Sequence, residues 1–210
     1  MKKSTLLMAL MFVLSSLTAL CVERGSSEIL NLKGADAEKK AHGIGRWLIN
    51  ETCAKDEDFE LKFRFWHDEK TLTIQLKDIV DSAEAPSTWE IHAAQFNDKG
   101  DLLVLTVGPG AKVSAKTVAR RQGGTATKTE TPLPEDFAAA TVKFAAQIRT
   151  IQVSISMEKL VPFGFIPGKV CFMNVFYLKN DEAKTTYGWN PTGKSPRTAP
   201  WCLGRVYVMK

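Results

Sequence analysis

The strict alternation of apolar and polar residues in FELKFRFWHDEKTLTIQL constrains the fold of this chain more than any other feature. In its first half an apolar side chain recurs at every second position: Phe59, Leu61, Phe63 and Phe65. After the turn HDEK the same period continues through Leu72, Ile74 and Leu76. Because successive side chains of a strand point to opposite faces, the stretch predicts a β-hairpin with one buried face.

Further strands follow along the chain. WEIHAAQFN and DLLVLTVG, joined by NDKG, predict a second pair, and VKFAAQIRTIQVSISM predicts two more strands. MEKLVPFGF predicts a turn or a single helical turn. KVCFMNVFYLKN is apolar on both faces, which is typical of a buried central strand, and RVYV predicts the last strand. Many short strands with few helices indicate an all-β fold, an antiparallel β-sandwich of the jelly-roll or immunoglobulin-like kind.

The ends of the pattern suggest how the chain is organised. MKKSTLLMALMFVLSSLTALC has the basic start, short apolar run and small-residue end of a secretory signal. We therefore expect a cleaved signal peptide at residues 1–21, an N-terminal lead at 22–42 with one short strand at 29–32, and a single sandwich domain at 43–210. The Gly/Thr/Lys/Pro-rich residues 109–136 predict a long surface excursion.

The predicted export places the protein in the secreted, periplasmic or cell-surface compartment. Lipidation of Cys21 would attach it to a membrane, but Leu20 stands where lipoprotein processing prefers a small residue. Export also permits disulfides. Cys53, Cys171 and Cys202 remain after any cut, Cys21 depends on the cut, and the sequence leaves the pairing open.

Charge and motifs argue against several classes of function. The formal net charge is +5, and the densest basic run, KVSAKTVARRQ, is typical of a solvated face, so we expect no nucleic-acid partner. The three histidines show no metal-ligand spacing, and the serine-hydrolase elbow, the P-loop and the dinucleotide-binding glycines are absent. NDKGD lacks the ligand spacing of an EF-hand and predicts a plain turn. We expect no catalytic and no metal-binding residues.

Five tryptophans remain as candidates for binding. Core packing is the favoured interpretation for Trp47, Trp66 and Trp201. Trp89 and Trp189 differ because turn-forming residues flank both of them, in SAEAPSTWE and YGWNPTG. Binding groups concentrate in such loops, so these two rings could face a ligand.

The order of these stretches resembles the family 9 carbohydrate-binding modules and the wider DOMON-like group of sandwiches. Three segments carry the resemblance: the opening hairpin FELKFRFWHDEKTLTIQLKD, the pair WEIHAAQFNDKGDLLVLTVGPGAK, and the closing segment from KVCFMNVFYLKN to RVYV. The closing segment has a central Asn174, a Trp-x-Pro loop at Trp189 and Gly204 before the last strand. The family's calcium segment Asp-Gly-x-x-Asp has no counterpart here, so no cofactor is expected.

The resemblance implies a sugar held between two tryptophans. Trp189 matches the second ring and Trp89 is nearest to the first, while Asn190, Arg197 and Lys194 could supply hydrogen bonds. A pyranose shows an apolar C–H face that stacks on a flat ring. On this basis Trp189→Ala should remove binding and leave the melting temperature nearly unchanged.

We therefore predict a secreted, non-catalytic protein that binds a polysaccharide or oligosaccharide. Two alternatives stay open at this point. One is a structural or adhesion sandwich in which Trp189 only fastens the last loop. The other is a DOMON-like haem or redox domain, which would need axial ligands such as Met157, Met173 and His92 to converge. The oligomeric state is not indicated.

Overall fold

The computed structural model describes residues 26–34, 36–44, 48–49, 61–97, 99–120, 126–179, 185–190 and 203–210. Most of these residues lie in strands, numbered here in chain order: β1 (Ser26–Asn31), β2 (Gly43–Ile44), β3 (Leu48–Ile49), β4 (Lys62–His67), β5 (Thr71–Ile79), β6 (Thr88–Ala94), β7 (Leu102–Val107), β8 (Val113–Arg120), β9 (Ala126–Pro132), β10 (Ala138–Ala145), β11 (Ile148–Ser156), β12 (Val170–Leu178), β13 (Thr186–Gly188) and β14 (Gly204–Val208). The helices are short: α1 (Ala37–Lys40), α2 (Met157–Leu160), and 3₁₀ turns at Pro109–Ala111, Glu135–Phe137 and Val161–Phe163.

The strands form one hydrogen-bonded path in the order β10-β11-β5-β4-β1-β14-β12-β6-β7-β8-β9. We call β10, β11, β5 and β4 the back sheet, and β14, β12, β6, β7, β8 and β9 the front sheet. Side chains of both sheets meet in a single core that includes Phe63, Ile74, Ile151, Ile91 and Val175. The predicted all-β sandwich is confirmed.

Strand β1 belongs to both sheets. Its residues Ser26 to Ile29 pair with β14, and Leu30 and Asn31 pair with β4. Both pairings are parallel, whereas the sequence predicted antiparallel strands throughout. The parallel pairs arise because β1 is inserted between strands far away in sequence, and parallel neighbours need a long crossover connection rather than a tight turn. The predicted N-terminal lead therefore contributes the strand that joins the two layers.

Most of the predicted strands are present. The opening hairpin is β4 paired antiparallel with β5, and its apolar residues Phe63, Phe65, Leu72, Ile74 and Leu76 are all buried. The next predicted pair is β6 with β7. The strand expected to be central, β12, lies between β14 and β6 in the front sheet.

The predicted surface excursion at residues 109–136 is wrong. It contains β8 and β9, which extend the front sheet from β7. Strand β8 adds Val118, buried with Leu102 and Val104 on the outer face of that sheet. The segment was mistaken for a loop because it is rich in glycine, threonine and lysine. Such low hydrophobicity is also typical of a pair of edge strands with one solvent-exposed face.

No helix in the described ranges is long and apolar enough to cross a membrane. The predicted signal peptide, Cys21, Cys53 and Cys202 lie outside the described residues. Trp47 and Trp201 lie outside them as well, while Trp66 is buried in a cluster with Ala37 of α1 and the following Ala41, as predicted.

Two buried groups that can lose a proton make the stability of the fold depend on pH in the alkaline range. Burial raises the pKa of the free Cys171 thiol to about 12 and also raises the pKa of the Tyr177 hydroxyl to about 12. In the unfolded chain both groups ionise at lower pH, so ionisation favours unfolding above about pH 9. The stability contributed by the neutral groups is complete below that pH and is lost as the pH rises toward 12.

We expect the unfolding free energy of the parent, relative to Cys171→Ala, to fall by about 1 kcal/mol per pH unit above pH 9, because the variant lacks the thiol. Urea unfolding at pH 7, 9, 10 and 11 measures this difference. A difference between parent and variant that stays constant from pH 7 to 11 would contradict the burial of this thiol.

Candidate functional site

Trp189 follows directly after β13 and lies in the core. Only 5% of the residue is exposed, and its ring packs edge-on against Phe63 of the back sheet, with ring centroids 5.7 Å apart. Its backbone N–H donates to the carbonyl of Val175, over 2.9 Å. The prediction of an indole open to solvent is wrong for Trp189, because the short β13 turns the ring inward between the sheets.

Trp89 is equally buried. It is 0% exposed and packs edge-on against Tyr177, with ring centroids 4.9 Å apart. Its position in β6 explains this placement, since Trp89, Ile91 and Ala93 occupy alternate positions and all belong to the same core. The expectation that Trp89 offers a face to a sugar is therefore wrong too. Neither indole can stack on a ligand in this conformation.

Asn174 fastens the segment that contains Trp189 and Asn190. Its Oδ1 accepts hydrogen bonds from the backbone N–H groups of Asn190 and Val175, over 3.0 and 2.9 Å. Its Nδ2 donates to the carbonyl of Asn190 over 2.7 Å. The central Asn of the resemblance thus has a structural role, since it satisfies both backbone groups of one buried residue.

Asn190 itself is 3% exposed, at the end of the described part of this segment. Lys194 and Arg197, the other predicted hydrogen-bonding residues, lie outside the described residues. Whether Asn190, Lys194 and Arg197 contact a sugar stays a prediction.

A buried acid–imidazole pair lies on the outer side of the front sheet. His92 Nε2 is 3.3 Å from Glu90 Oε2, both residues are nearly inaccessible, and the His92 ring packs edge-on against Phe176. Met173 pairs with Ala93 and points into the core, on the other side of the sheet from His92. A sheet separates the two side chains, so they do not converge as axial ligands of one haem.

A second buried network anchors the segment before Trp89. Arg149 forms two hydrogen bonds with the Asp78 carboxylate and one with the Ser87 hydroxyl, and its Nη1 donates to the carbonyls of Ala83 and Ala85. Arg149, Asp78 and Ser87 are at most 3% exposed. Paired and enclosed in this way, these groups hold the 83–87 turn in place rather than face a substrate.

The turn at residues 97–101 was predicted to be a plain hairpin turn. The guanidinium of Arg120 donates to the carbonyl oxygens of Phe96, Asn97, Lys99 and Gly100, at 2.6 to 3.0 Å. Because the positively charged guanidinium of Arg120 occupies the centre of this ring of carbonyls, the ring is unsuited to a calcium ion. Arg120 is 8% exposed and structural, although the basic run that contains it was predicted to be solvated. In the described ranges no three His, Cys, Asp or Glu residues group as metal ligands.

An open cavity lies at the junction of β1 and β14, on the outer side of the sandwich. Its volume is about 350 Å³. It is lined by Ser26, Ser27, Glu28, His42 and Tyr207. Tyr207 is 43% exposed, in contrast to both tryptophans, and it is the parallel pairing partner of Glu28. Sequence reasoning missed this aromatic group because RVYV gives only a strand pattern and β1 was not expected beside it.

Comparison with solved structures places this architecture among known folds. A candidate carbohydrate-binding protein of Bacteroides uniformis is similar at 10% identity, with a TM-score of 0.63 over 89% of this chain and 100% of that one. A family 9 carbohydrate-binding module of Caldicellulosiruptor kristjanssonii, in complex with cellotriose, has a TM-score of 0.55 at 10% identity, over 88% of this chain and 94% of that one. The fold is that of a family 9 carbohydrate-binding module.

A second structure of a family 9 module from Caldicellulosiruptor kristjanssonii, in complex with glucose, gives a TM-score of 0.51 at 11% identity, over 88% of this chain and 95% of that one. Comparisons with protein-family models and with curated sequences found no match. At these identities the likeness establishes the fold, which the sequence resemblance had indicated.

We expect Trp189→Ala to destabilise the protein by about 3–5 kcal/mol, because it leaves a cavity beside Phe63. This reverses the expectation drawn from the resemblance. Urea unfolding of the parent and the variant measures the loss.

Phe144→Ala is the matched control, since Phe144 is 40% exposed and its truncation should cost far less. A Trp189→Ala protein as stable as the Phe144→Ala protein would contradict the buried position of the indole.

Proposed function

We propose that this protein is a secreted carbohydrate-binding protein without catalytic activity. The observation that carries the proposal is the likeness in fold, over nearly the whole chain, to family 9 modules whose structures contain cellotriose and glucose. The partner proposed is accordingly a polysaccharide or oligosaccharide.

The arrangement of the titratable groups supports a binding rather than a catalytic role. Asp78 and Arg149 are enclosed in an ion pair, and Glu90 and His92 face each other below the surface. A general acid or base has to reach the substrate within hydrogen-bonding distance. Groups as enclosed as these hold the fold together, and sugar recognition would fall to side chains at the surface.

The proposed mode of binding differs from stacking between Trp89 and Trp189. Both rings are used in the core, so the sugar would meet exposed aromatic and polar groups elsewhere. Asn190, Lys194 and Arg197, which follow β13 in the sequence, remain proposed hydrogen-bonding residues. Trp189 would contribute indirectly, by fixing the start of the segment that carries them.

A structural or adhesion role is the second candidate, and one observation favours it. Trp189 packs against Phe63 and donates its backbone N–H to the Val175 carbonyl, and Asn174 forms a hydrogen bond with the next residue. These contacts fix the last loop in place, which is the role expected of Trp189 in a sandwich without a sugar site. The two candidates differ in whether purified protein binds any glycan.

Affinity electrophoresis distinguishes them. We expect the protein to migrate more slowly in gels that contain a neutral polysaccharide, from a panel of hydroxyethylcellulose, xylan, glucomannan and laminarin, than in a gel without polysaccharide. Serum albumin, run in the same lanes, controls for gel viscosity. Unchanged migration in every gel, together with no heat of binding to cellotriose or glucose at millimolar concentration, would favour the structural role.

A further inference from the structure

The cavity between β1 and β14 presents an aromatic ring that the core does not use. Along β14 the residues Gly204, Val206 and Val208 are buried, and Arg205 and Tyr207 alternate with them on the outer face. A single exposed tyrosine would need no explanation. Tyr207 differs because its ring forms a wall of a cavity whose other walls are polar.

Glu28 lies beside this ring by virtue of the strand pairing. It is the register partner of Tyr207 in the parallel β1–β14 pair, so the two side chains project from the same face one strand spacing apart, about 5 Å. Ser26, two residues earlier on β1, projects from the same face. Within the described part of the chain, no hydrogen bond or ion pair occupies the Glu28 carboxylate or the His42 imidazole. These groups are thus available to a ligand.

The combination suits a sugar ring. Tyrosine offers an apolar face with little loss of conformational entropy, and it stacks on the C–H face of a pyranose. An ionised carboxylate only accepts hydrogen bonds, so Glu28 would pair with sugar hydroxyls, while His42 and Ser26 can donate as well as accept. The carboxylate would repel a uronate or a sulfated sugar. A volume of about 350 Å³ is at the lower end of the range for ligand pockets, which fits one or two rings.

We propose that the cavity formed by Tyr207, Glu28 and His42 is a binding subsite for a neutral mono- or disaccharide unit. The assignment rests on the proposed carbohydrate-binding function and names the surface that performs it. This subsite is distinct from the segment at Trp189. Strand β14 pairs with β12 at Val170 to Met173, whereas β13 pairs with its other end, at Phe176 to Leu178.

Isothermal titration with cellotriose tests the subsite, using the parent protein, Tyr207→Thr and Tyr207→Phe. Threonine keeps the strand preference of β14 but removes the ring. We expect Tyr207→Thr to weaken binding about tenfold or more, and Tyr207→Phe to bind nearly as the parent does. Glu28→Gln should weaken cellotriose binding too, and the parent protein should not bind trigalacturonate.

Phe144→Ala is the matched control, because Phe144 is a similarly exposed aromatic residue on the back sheet. It should bind as the parent does. Thermal unfolding and circular dichroism check that each variant is folded. If the Tyr207→Thr protein does not fold, the Tyr207→Phe protein still tests the subsite, because its binding of cellotriose should weaken when Glu28→Gln is added.

The outcomes separate the two proposals. A parent that binds cellotriose, with folded Tyr207→Thr and Glu28→Gln proteins that bind equally well, would overturn the subsite and leave the carbohydrate-binding function standing. A parent that binds neither cellotriose nor any polysaccharide of the panel would overturn the function itself. Tight binding of trigalacturonate would overturn the assignment to neutral sugars.

Discussion

The fold depends on β1, a single strand that pairs with one sheet along its first four residues and with the other along its last two. The inner face of each sheet is apolar, and such a face is stable only when another layer covers it. By continuing from β14 to β4, β1 holds the two layers in a fixed register. The C-terminal end is tied to the same corner, because the Met209 N–H donates to the Ile29 carbonyl and the Met209 carbonyl contacts His67 Nε2 at 2.8 Å.

This closure determines where the large aromatic side chains go. The space between the sheets takes two edge-to-face aromatic pairs, Trp189 with Phe63 and Trp89 with Tyr177. Aromatic side chains of this size dominate the energetics of a core, so they stabilise the sandwich. The same burial removes them from the surface, and recognition of a ligand is left to aromatic residues that point outward, of which Tyr207 has a cavity beside it.

Alternation of apolar residues predicted the hairpin of β4 and β5, because a period of two is a local property of the chain, and the continuous apolar run KVCFMNVFYLKN predicted the central β12. The alternation in β6 also indicates that Trp89 is buried, because Trp89 has the same phase as Ile91 and Ala93. The turn residues before Trp89 indicated a loop instead. The pairing of β1 could not be predicted, since it joins strands separated by most of the chain. The site beside Tyr207 was missed for that reason, as Glu28 and Tyr207 meet only through this parallel pair.

In the proposed binding mode the two indoles stay in the core and a sugar meets the β1–β14 face. Amide chemical-shift changes on addition of cellotriose, measured by ¹H–¹⁵N NMR on the intact protein, test it most directly. We expect the largest changes at Ser26 to Glu28 and at Arg205 to Val208, with small changes at Trp89 and Trp189. Changes concentrated at Trp89 and Trp189, with the β1–β14 amides unaffected, would contradict it.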